Sequence, residues 1–283
     1  MNKIEKFIYQ HLLLLRRITQ SVILIILILM PFLNKIGFHK IYGTVYSITI
    51  GELNIADPAM ILQTTLLVSK IYIPLLLAGL VPVLIAFFLG KVFCSWMCPF
   101  NLITEYSNKL RSKIKKKGSM SRNRNPQKYI YWIVYSGILL AMLTFSMPLL
   151  TFLSMPGIIS SQITSVIFAG SIGIEILIVV GVLLVEFAFS SQFWCKYVCP
   201  VGATLTLVHP QPIMQIQYDA SQCTCRTDIL PCNQACPLGL DPRHNGIYPY
   251  CFNCGNCVDA CRTEGQALNF ALITKEHHLF KEK

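Results

Sequence analysis

Charge is scarce in this chain. Only 13% of its 283 residues are Asp, Glu, Lys or Arg, against about 25% in an ordinary soluble domain, and 54% are hydrophobic. Such a composition excludes a conventional soluble enzyme and points to a bilayer. Haem signals are missing as well. There is no Cys-x-x-Cys-His for covalent attachment, and the six histidines (11, 39, 209, 244, 277 and 278) fall outside the apolar runs read as spans, which argues against a buried bis-histidine haem. The N-terminus has an apolar stretch but no small-residue cleavage site, so it reads as a retained anchor. Arg16-Arg17 reads as part of that anchor and not as an export signal. The basic surplus does not suggest nucleic-acid binding, because it is confined to one region. Residues 1–200 hold 18 basic and 6 acidic groups, whereas 201–283 hold 6 and 7. Its expected role is orientation and contact with anionic lipid.

Four apolar segments read as transmembrane helices: Ile18–Leu33, Ile71–Gly90, Tyr129–Pro148 and Ile172–Ser190, each near the ~20 residues that cross the hydrocarbon layer. Leu149–Gly170 is apolar too, but Pro156-Gly157 interrupts it, and an interfacial or re-entrant loop is expected. Between the second and third spans lie Lys109, Arg111, Lys113, Lys115, Lys116, Lys117, Arg122, Arg124 and Lys128, with no anion after Glu105. The positive-inside rule therefore places both termini and this loop in the cytoplasm of a multi-pass protein of the inner membrane.

An internal repeat supports that even span count. Cys94-Ser-Trp-Met-Cys98-Pro99 follows the second span, and Cys195-Lys-Tyr-Val-Cys199-Pro200 follows the fourth. Ending two parallel repeats on the same device requires both to finish at the same membrane face. The expected fold is an all-α bundle of four transmembrane helices in two parallel two-helix repeats, followed by a small α+β ferredoxin-like domain with two [4Fe-4S] clusters. The expected boundaries are 1–107 and 129–209 for the repeats, 108–128 for the basic cytoplasmic loop, and 210–283 for the cluster domain.

Twelve cysteines carry the chemistry. Cys251, Cys254, Cys257 and Cys261 form C-x2-C-x2-C-x3-C, the spacing in which three thiolates wrap one cube and the fourth reaches a second. Gly255 suits a point where backbone approaches sulfide closely. The companion run is irregular, since Cys223, Cys225, Cys232 and Cys236 follow C-x-C-x6-C-x3-C-P. By the cross-over logic of two-cluster ferredoxins, Cys223, Cys225, Cys232 and Cys261 hold cluster 1, and Cys236, Cys251, Cys254 and Cys257 hold cluster 2. The displaced pair leaves open a three-iron or labile first cluster with Cys223 or Cys225 free. Cluster binding is expected to supply much of this domain's folding energy.

The second constellation is the repeated C-x3-C-P. On a helix continuing past the membrane, Cys94 and Cys98 share a face, as do Cys195 and Cys199. Two pairs at one depth can converge into a four-thiolate site. Metal binding, thiol–disulfide cycling and simple support of the ferredoxin domain remain open. Glu175 and Glu186 are ionisable groups inside a span, and are the candidate catalytic acceptors of quinol protons. His39, Glu52 and Asp57, in the first outer loop, are rival acceptors. The His277-His278 pair reads as solvated.

Four spans, two C-x3-C-P motifs and a C-terminal pair of tetranuclear clusters resemble the NapH-type membrane ferredoxins of quinol dehydrogenase modules, a likeness that covers nearly the whole chain. The resemblance implies that electrons leave menaquinol or ubiquinol in the quinone pool. They then pass, through a soluble polyferredoxin or cytochrome c, toward a periplasmic reductase of the nitrate or nitrous oxide type. Cys236-Pro-Leu-Gly-Leu-Asp-Pro-Arg243 is similar instead to CcoG/FixG-type assembly factors of copper-haem oxidases. That likeness implies reduction of copper, with the C-x3-C-P thiolates as soft copper ligands.

Overall fold

The computed structural model describes residues 3–37, 41–114, 126–189, 192–208, 212–225, 230–243, 247–262 and 267–272. His39, the tail histidines and Lys115, Lys116, Lys117, Arg122 and Arg124 of the basic loop lie outside them.

Helix α1 (Lys3–Lys35) opens the chain and carries the first apolar run, with Pro31 inside its last turns. A three-stranded antiparallel meander follows, β1 (Ile41–Thr44), β2 (Ser47–Ile50) and β3 (Leu53–Ala56). Asp57 then caps α2 (Pro58–Val68), its Oδ1 accepting from the Ala59 amide at 3.1 Å, with Pro58 pre-setting the first turn. Helix α3 (Ile73–Leu89) stops at Gly90, whose φ of 75° no side chain would favour.

The two C-x3-C-P segments then build matching units. In the first, short α4 (Val92–Trp96) leads into α5 (Pro99–Ile114). In the second, α9 (Ile176–Phe189) is followed by a π-helical turn over Trp194–Val198 and by α10 (Pro200–Val208). Pro99 and Pro200 each begin a new helix, where a missing N–H costs nothing. The cysteines therefore do not ride on a continuing span, as the helical-face argument supposed. They sit in tight turns between two helices.

Helix α6 (Lys128–Phe145) ends at Ser146 in the left-handed region, and α7 (Leu149–Phe152) and α8 (Met155–Ala169) follow. Here the sequence-based expectation of a broken loop fails. Pro156 lies in the first turn of α8 and starts it, and Gly157 leaves room for a ring, since a Cβ there would collide with Tyr46 of the meander. Helix α8 spans Met155–Ala169 with Met155, Ile158 and Ile159 buried.

Two helical stretches, His11–Lys35 and α6, are long and apolar enough to cross a membrane; α2, α3, α8 and α9 are apolar but shorter. The four spans read from sequence thus shrink at two places. Helix α3 runs only from Ile73 to Leu89, and α9 starts only at Ile176, leaving Glu175 outside the helix. Ile25, Leu29, Leu77, Leu84, Ile133, Leu140, Leu177 and Leu184 project outward from α1, α3, α6 and α9 as exposed side chains.

The C-terminal unit pairs β4 (Met214–Tyr218) antiparallel with β5 (Leu268–Leu272), with Ile216 opposite Phe270. Short α11 (Pro231–Gln234) and α12 (Asn256–Cys261) pack together beside the sheet. Leu238, Leu240, Ile247, Tyr248, Tyr250 and Phe252 fill its interior, continuous with Tyr131 and Tyr135 of α6. This is the expected small α+β arrangement, and it is docked directly on the C-x3-C-P turns.

Candidate iron–sulfur and thiolate centres

Cys236, Cys251, Cys254 and Cys257 line one pocket, walled by Ile216, Pro237, Leu238, Leu240, Pro242, Ile247 and Phe252. These are the four thiols assigned to cluster 2. The Pro-Leu-Gly-Leu-Asp-Pro-Arg segment forms one wall, and Arg243 pins its turn by pairing with Asp241 at 2.8 Å. Backbone amides already aim at sulfur: Leu240 N lies 3.4 Å from Cys236 Sγ, and Asn253 N lies 3.4 Å from Cys251 Sγ. Such donors raise a cluster's reduction potential. Gly255 was expected to make room for sulfide. Its φ of 79° is real, but what a Cβ would strike is Leu12 of α1, at 2.2 Å.

The thiols assigned to cluster 1 are less enclosed. Cys232 and Cys261 are buried, and Cys261 adds to the electrostatic surroundings of Cys232. Cys223 and Cys225 are half-exposed. Their segment runs beside Tyr218, whose hydroxyl bonds the Cys223 thiol and lowers its pKa. Residues 226–229 lie outside the described residues, so only part of this site is visible.

The two C-x3-C-P turns do converge. Cys94, Cys98, Cys195 and Cys199 line a second pocket, together with Lys91, Phe93, Phe100, Met155, Pro156, Val201, Gly202 and Phe252. Burial pushes the Cys98 thiol up to about 12 and raises Cys94, Cys195 and Cys199 as well. That is the reverse of an exchange-active cysteine, whose pKa is lowered. Among the described residues no group of three or more His, Cys, Asp or Glu is arranged to hold a metal ion.

Phe252 lines both cavities, and the surrounding polar contacts clamp them together. Ser95 Oγ donates to the Phe252 carbonyl at 2.8 Å, and Gln20 Nε2 donates to the Ser95 carbonyl at 2.8 Å. Asn253 Nδ2 donates to the carbonyls of Leu89 and Met214, each at 2.9 Å, while its Oδ1 accepts from Tyr248. Lys196 Nζ reaches the Leu238 carbonyl at 3.1 Å. Arg16 of α1 bonds the Cys254 carbonyl at 3.1 Å and also pairs with Glu105, which Arg17 flanks. None of these long-range partners was visible as a motif.

The two candidate carboxylates separate. Glu186 is buried, with Oε1 accepting from the Trp194 amide at 3.2 Å and Oε2 buried without a hydrogen-bond partner. It stands beside the turn that carries Cys195. Glu175 is half-buried near the opposite end of α9, paired with Gln162. Asp57, a rival acceptor, lies closer to the cysteines than expected and contributes to the surroundings of Cys94 and Cys199. Burial lifts its pKa to about 6. Glu52 is exposed on the β2–β3 turn.

A family model described as a 4Fe-4S binding domain matches residues 72–118 and 172–210, one stretch around each C-x3-C-P motif. The chain is similar to the ferredoxin-type protein NapH of Escherichia coli, 24% identical over 88% of this chain and 86% of that protein. It is similar to the methylamine utilization ferredoxin-type protein MauN of Methylorubrum extorquens, 26% identical over 91% and 77%. The putative electron transport protein YccM of Escherichia coli is 28% identical over 80% of this chain and 60% of its own length. No solved structure matches. Two stretches around the C-x3-C-P motifs thus match a 4Fe-4S binding domain, and the chain as a whole is similar to the ferredoxin-type proteins NapH and MauN.

Proposed function

We propose that this protein is an integral inner-membrane subunit of a quinol dehydrogenase module. In this reading α1, α3, α6 and α9 span the bilayer, and the ferredoxin domain and both termini face the cytoplasm. The exposed apolar side chains on those four helices support the placement, since in water they would form a continuous apolar surface far beyond that of a soluble monomer. The short α3 and α9 are compensated by the turns and re-entrant helices that follow them. Cys236, Cys251, Cys254 and Cys257 hold one [4Fe-4S] cluster, and Cys223, Cys225, Cys232 and Cys261 hold another. When bound, such clusters supply one-electron storage.

The observation that carries this reading is the shared wall at Phe252: the pocket of Cys236, Cys251, Cys254 and Cys257 abuts the pocket of the two C-x3-C-P turns, which follow α3 and α9. Quinol oxidation to quinone releases two electrons and two protons, so the protein must accept both. Glu186 is placed to take a proton, because its free Oε2 is buried beside the Cys195 turn. Trp194 N holds the other oxygen and so fixes the carboxylate. Asp57 is a second acceptor on the meander side, and Glu175 lies nearest the loop ends. Electrons leave to a redox partner, a soluble polyferredoxin or cytochrome c of a periplasmic reductase pathway of the nitrate or nitrous oxide type.

Anaerobic protein, oxidised and then mixed with menaquinol or ubiquinol, tests this. Appearance of reduced-cluster EPR signals with matching quinone formation is expected. Clusters that dithionite reduces and quinol does not would overturn it. Stoichiometric copper held by Cys94, Cys98, Cys195 and Cys199 would favour the copper-reducing alternative. No observation on the cavity favours that reading, because its thiols do not close on a single ion.

A further inference from the structure

We propose that buried cations from outside the ferredoxin domain, Lys196 foremost, raise the reduction potential of the site formed by Cys236, Cys251, Cys254 and Cys257. The first electron to enter the ferredoxin domain then settles on that site. The inference rests on reading those four thiols as cluster ligands. Three cations approach the pocket, each from a different element and each beside a different cysteine. Lys196, in the π-helical turn after α9, donates through Nζ to the carbonyl of Leu238, a wall residue of the pocket, at 3.1 Å. Cys236 is the thiol within its electrostatic reach. Lys91, at the start of α4, has Cys251 within reach. Arg16 of α1 donates to the Cys254 carbonyl at 3.1 Å.

The two lysines are 7% and 6% exposed, and aromatic rings fix where their charges sit. Lys196 Nζ lies 5.6 Å from the centre of the Tyr197 ring, and Lys91 Nζ lies 5.0 Å from that of Tyr131. Both rings pack edge-on against Tyr250, the residue before Cys251, with centroids 5.7 and 5.2 Å away. Ring faces hold a cation most strongly where water is excluded. Among the described residues neither lysine is paired with a carboxylate. A buried ammonium needs negative charge beside it. A thiolate-ligated iron–sulfur core is an anion, and reduction adds one more negative charge, so adjacent cations favour the reduced state. Arg16 contributes less, because Glu105 pairs with it. The irregular site is built differently. Its cation, Arg243, belongs to the ferredoxin domain and is held by both oxygens of Asp241, at 3.1 and 2.8 Å. That pair adds no net charge. Enclosure alone would make the pocket site harder to reduce than the half-exposed one, since water stabilises added charge; the lysines reverse that order.

The test is a redox titration followed by EPR on the full-length protein, purified anaerobically in detergent. Dithionite is the reductant, so quinol reactivity plays no part. Cys257→Ser and Cys232→Ser assign the two ferredoxin signals, and iron and acid-labile sulfide are counted in every variant. The signal lost in Cys257→Ser is expected to have the higher potential. In Lys196→Met its reduced-to-oxidised ratio at a fixed poise should fall about tenfold, which is about 59 mV for one electron. Iron content and the other ferredoxin signal should stay unchanged, and Lys196→Arg, which keeps the charge, should restore the ratio. Lys91→Met should shift the same signal the same way, and decides the matter where Lys196→Met fails to load iron. Full iron with an unshifted potential in the deciding variant would overturn the proposal. So would equal movement of both ferredoxin signals in Lys196→Met, or a wild-type order in which the Cys257-dependent signal is the lower. Wild-type protein free of acid-labile sulfide would instead sink the cluster reading itself.

Discussion

Arg16, on the first helix, donates to the carbonyl oxygen of Cys254, 238 residues later, at 3.1 Å. The same guanidinium reaches Asn256 Oδ1 at 2.6 Å and pairs with Glu105 on α5. The Cys254 loop, the first helix and the helix leaving the first C-x3-C-P turn are therefore joined through one side chain that is 1% exposed. The planar fork of arginine suits three acceptors at once, where a lysine would serve as a point charge.

Replacing this residue tests the clamp. Arg16→Met leaves Glu105 buried with Arg17 as its remaining cation and Asn101 as its amide donor, and strips the Cys254 carbonyl of its donor. Removing one member of a buried ion pair costs about 3–5 kcal/mol. We expect a lower thermal midpoint in detergent and faster loss of iron to a chelator, with Arg16→Lys intermediate. Wild-type iron retention in Arg16→Met would show that the clamp is dispensable.

Gly255 makes a sharper case. A side chain at φ 79° is strained by about 1–2 kcal/mol, and a Cβ 2.2 Å from Leu12 Cδ2 must displace that leucine as well. Gly255→Ala is expected to destabilise the ferredoxin domain by about 2 kcal/mol or more. Adding Leu12→Ala should recover the part due to the collision and leave the part due to backbone strain. Differential melting of the single and double variants measures the split; no recovery in the double variant would place the cost elsewhere.

These two residues show where reading the chain succeeds and where it stops. Cys251, Cys254 and Cys257 share one pocket with Cys236, a grouping legible in the local spacing of the run and in the cross-over rule. The duplicated C-x3-C-P turns announced their convergence by repetition, though the reason offered, a common helix face, was wrong. Gly255 stood out as a glycine beside cysteines, but its neighbour Leu12 is a partner that no local pattern encodes. The same applies to Arg16 with Cys254, Asn253 with Leu89, and Lys91 with Tyr131. Pro156 misled because proline breaks a helix interior yet favours a first turn, and which it does depends on where the previous helix ends. Glu175 looked intramembrane because the apolar run extends past it, whereas α9 starts one residue later.

Asp57 gives the stability a dependence on pH. Its carboxyl titrates near 6 in the folded protein, pushed up by burial from an ordinary value of 3.8. The folded state thus binds the proton more tightly than the unfolded state. Asp57 costs nothing below about pH 4, and its penalty grows as pH rises to about 6, reaching about 3 kcal/mol above that. Asp57→Asn keeps a side-chain oxygen for the Ala59 amide and removes the charge. Relative to wild type it should be equal at pH 4 and more stable at pH 7.5. A difference in thermal midpoint that does not change between those pH values would contradict this.

Glu186→Gln separates proton acceptance from scaffold. The amide still accepts from the Trp194 amide through its oxygen, so the Cys195 turn and the iron content should be preserved. What is lost is the basic oxygen. Positioned acid–base groups contribute about 100- to 10,000-fold, and the quinol-dependent rate of cluster reduction should fall by an amount in that range. Reduction by dithionite should be unaffected. An unchanged quinol rate would move the proton acceptor to Asp57 or Glu175, whose Asn and Gln variants are read in the same assay.

The twelve thiols should differ in how they respond to an alkylating reagent. Cys223 and Cys225 are half-exposed, and Tyr218 lowers the pKa of Cys223, so thiolate is more available there than at any buried position. Burial instead raises Cys236 to about 11 and Cys251 to about 12. In apo protein, brief iodoacetamide treatment at pH 7 followed by peptide mass spectrometry should mark Cys223 and Cys225 first, with the C-x3-C-P cysteines last. In cluster-loaded protein, protection of Cys223 and Cys225 together with Cys232 and Cys261 would identify the four ligands of the irregular site. Persistent labelling of Cys223 or Cys225 alone would instead mark a cluster held by three cysteines, the outcome that the displaced C-x-C spacing leaves open. The order of protection as iron and sulfide are titrated in then reports which site fills first, and enclosure predicts the cavity of Cys236, Cys251, Cys254 and Cys257.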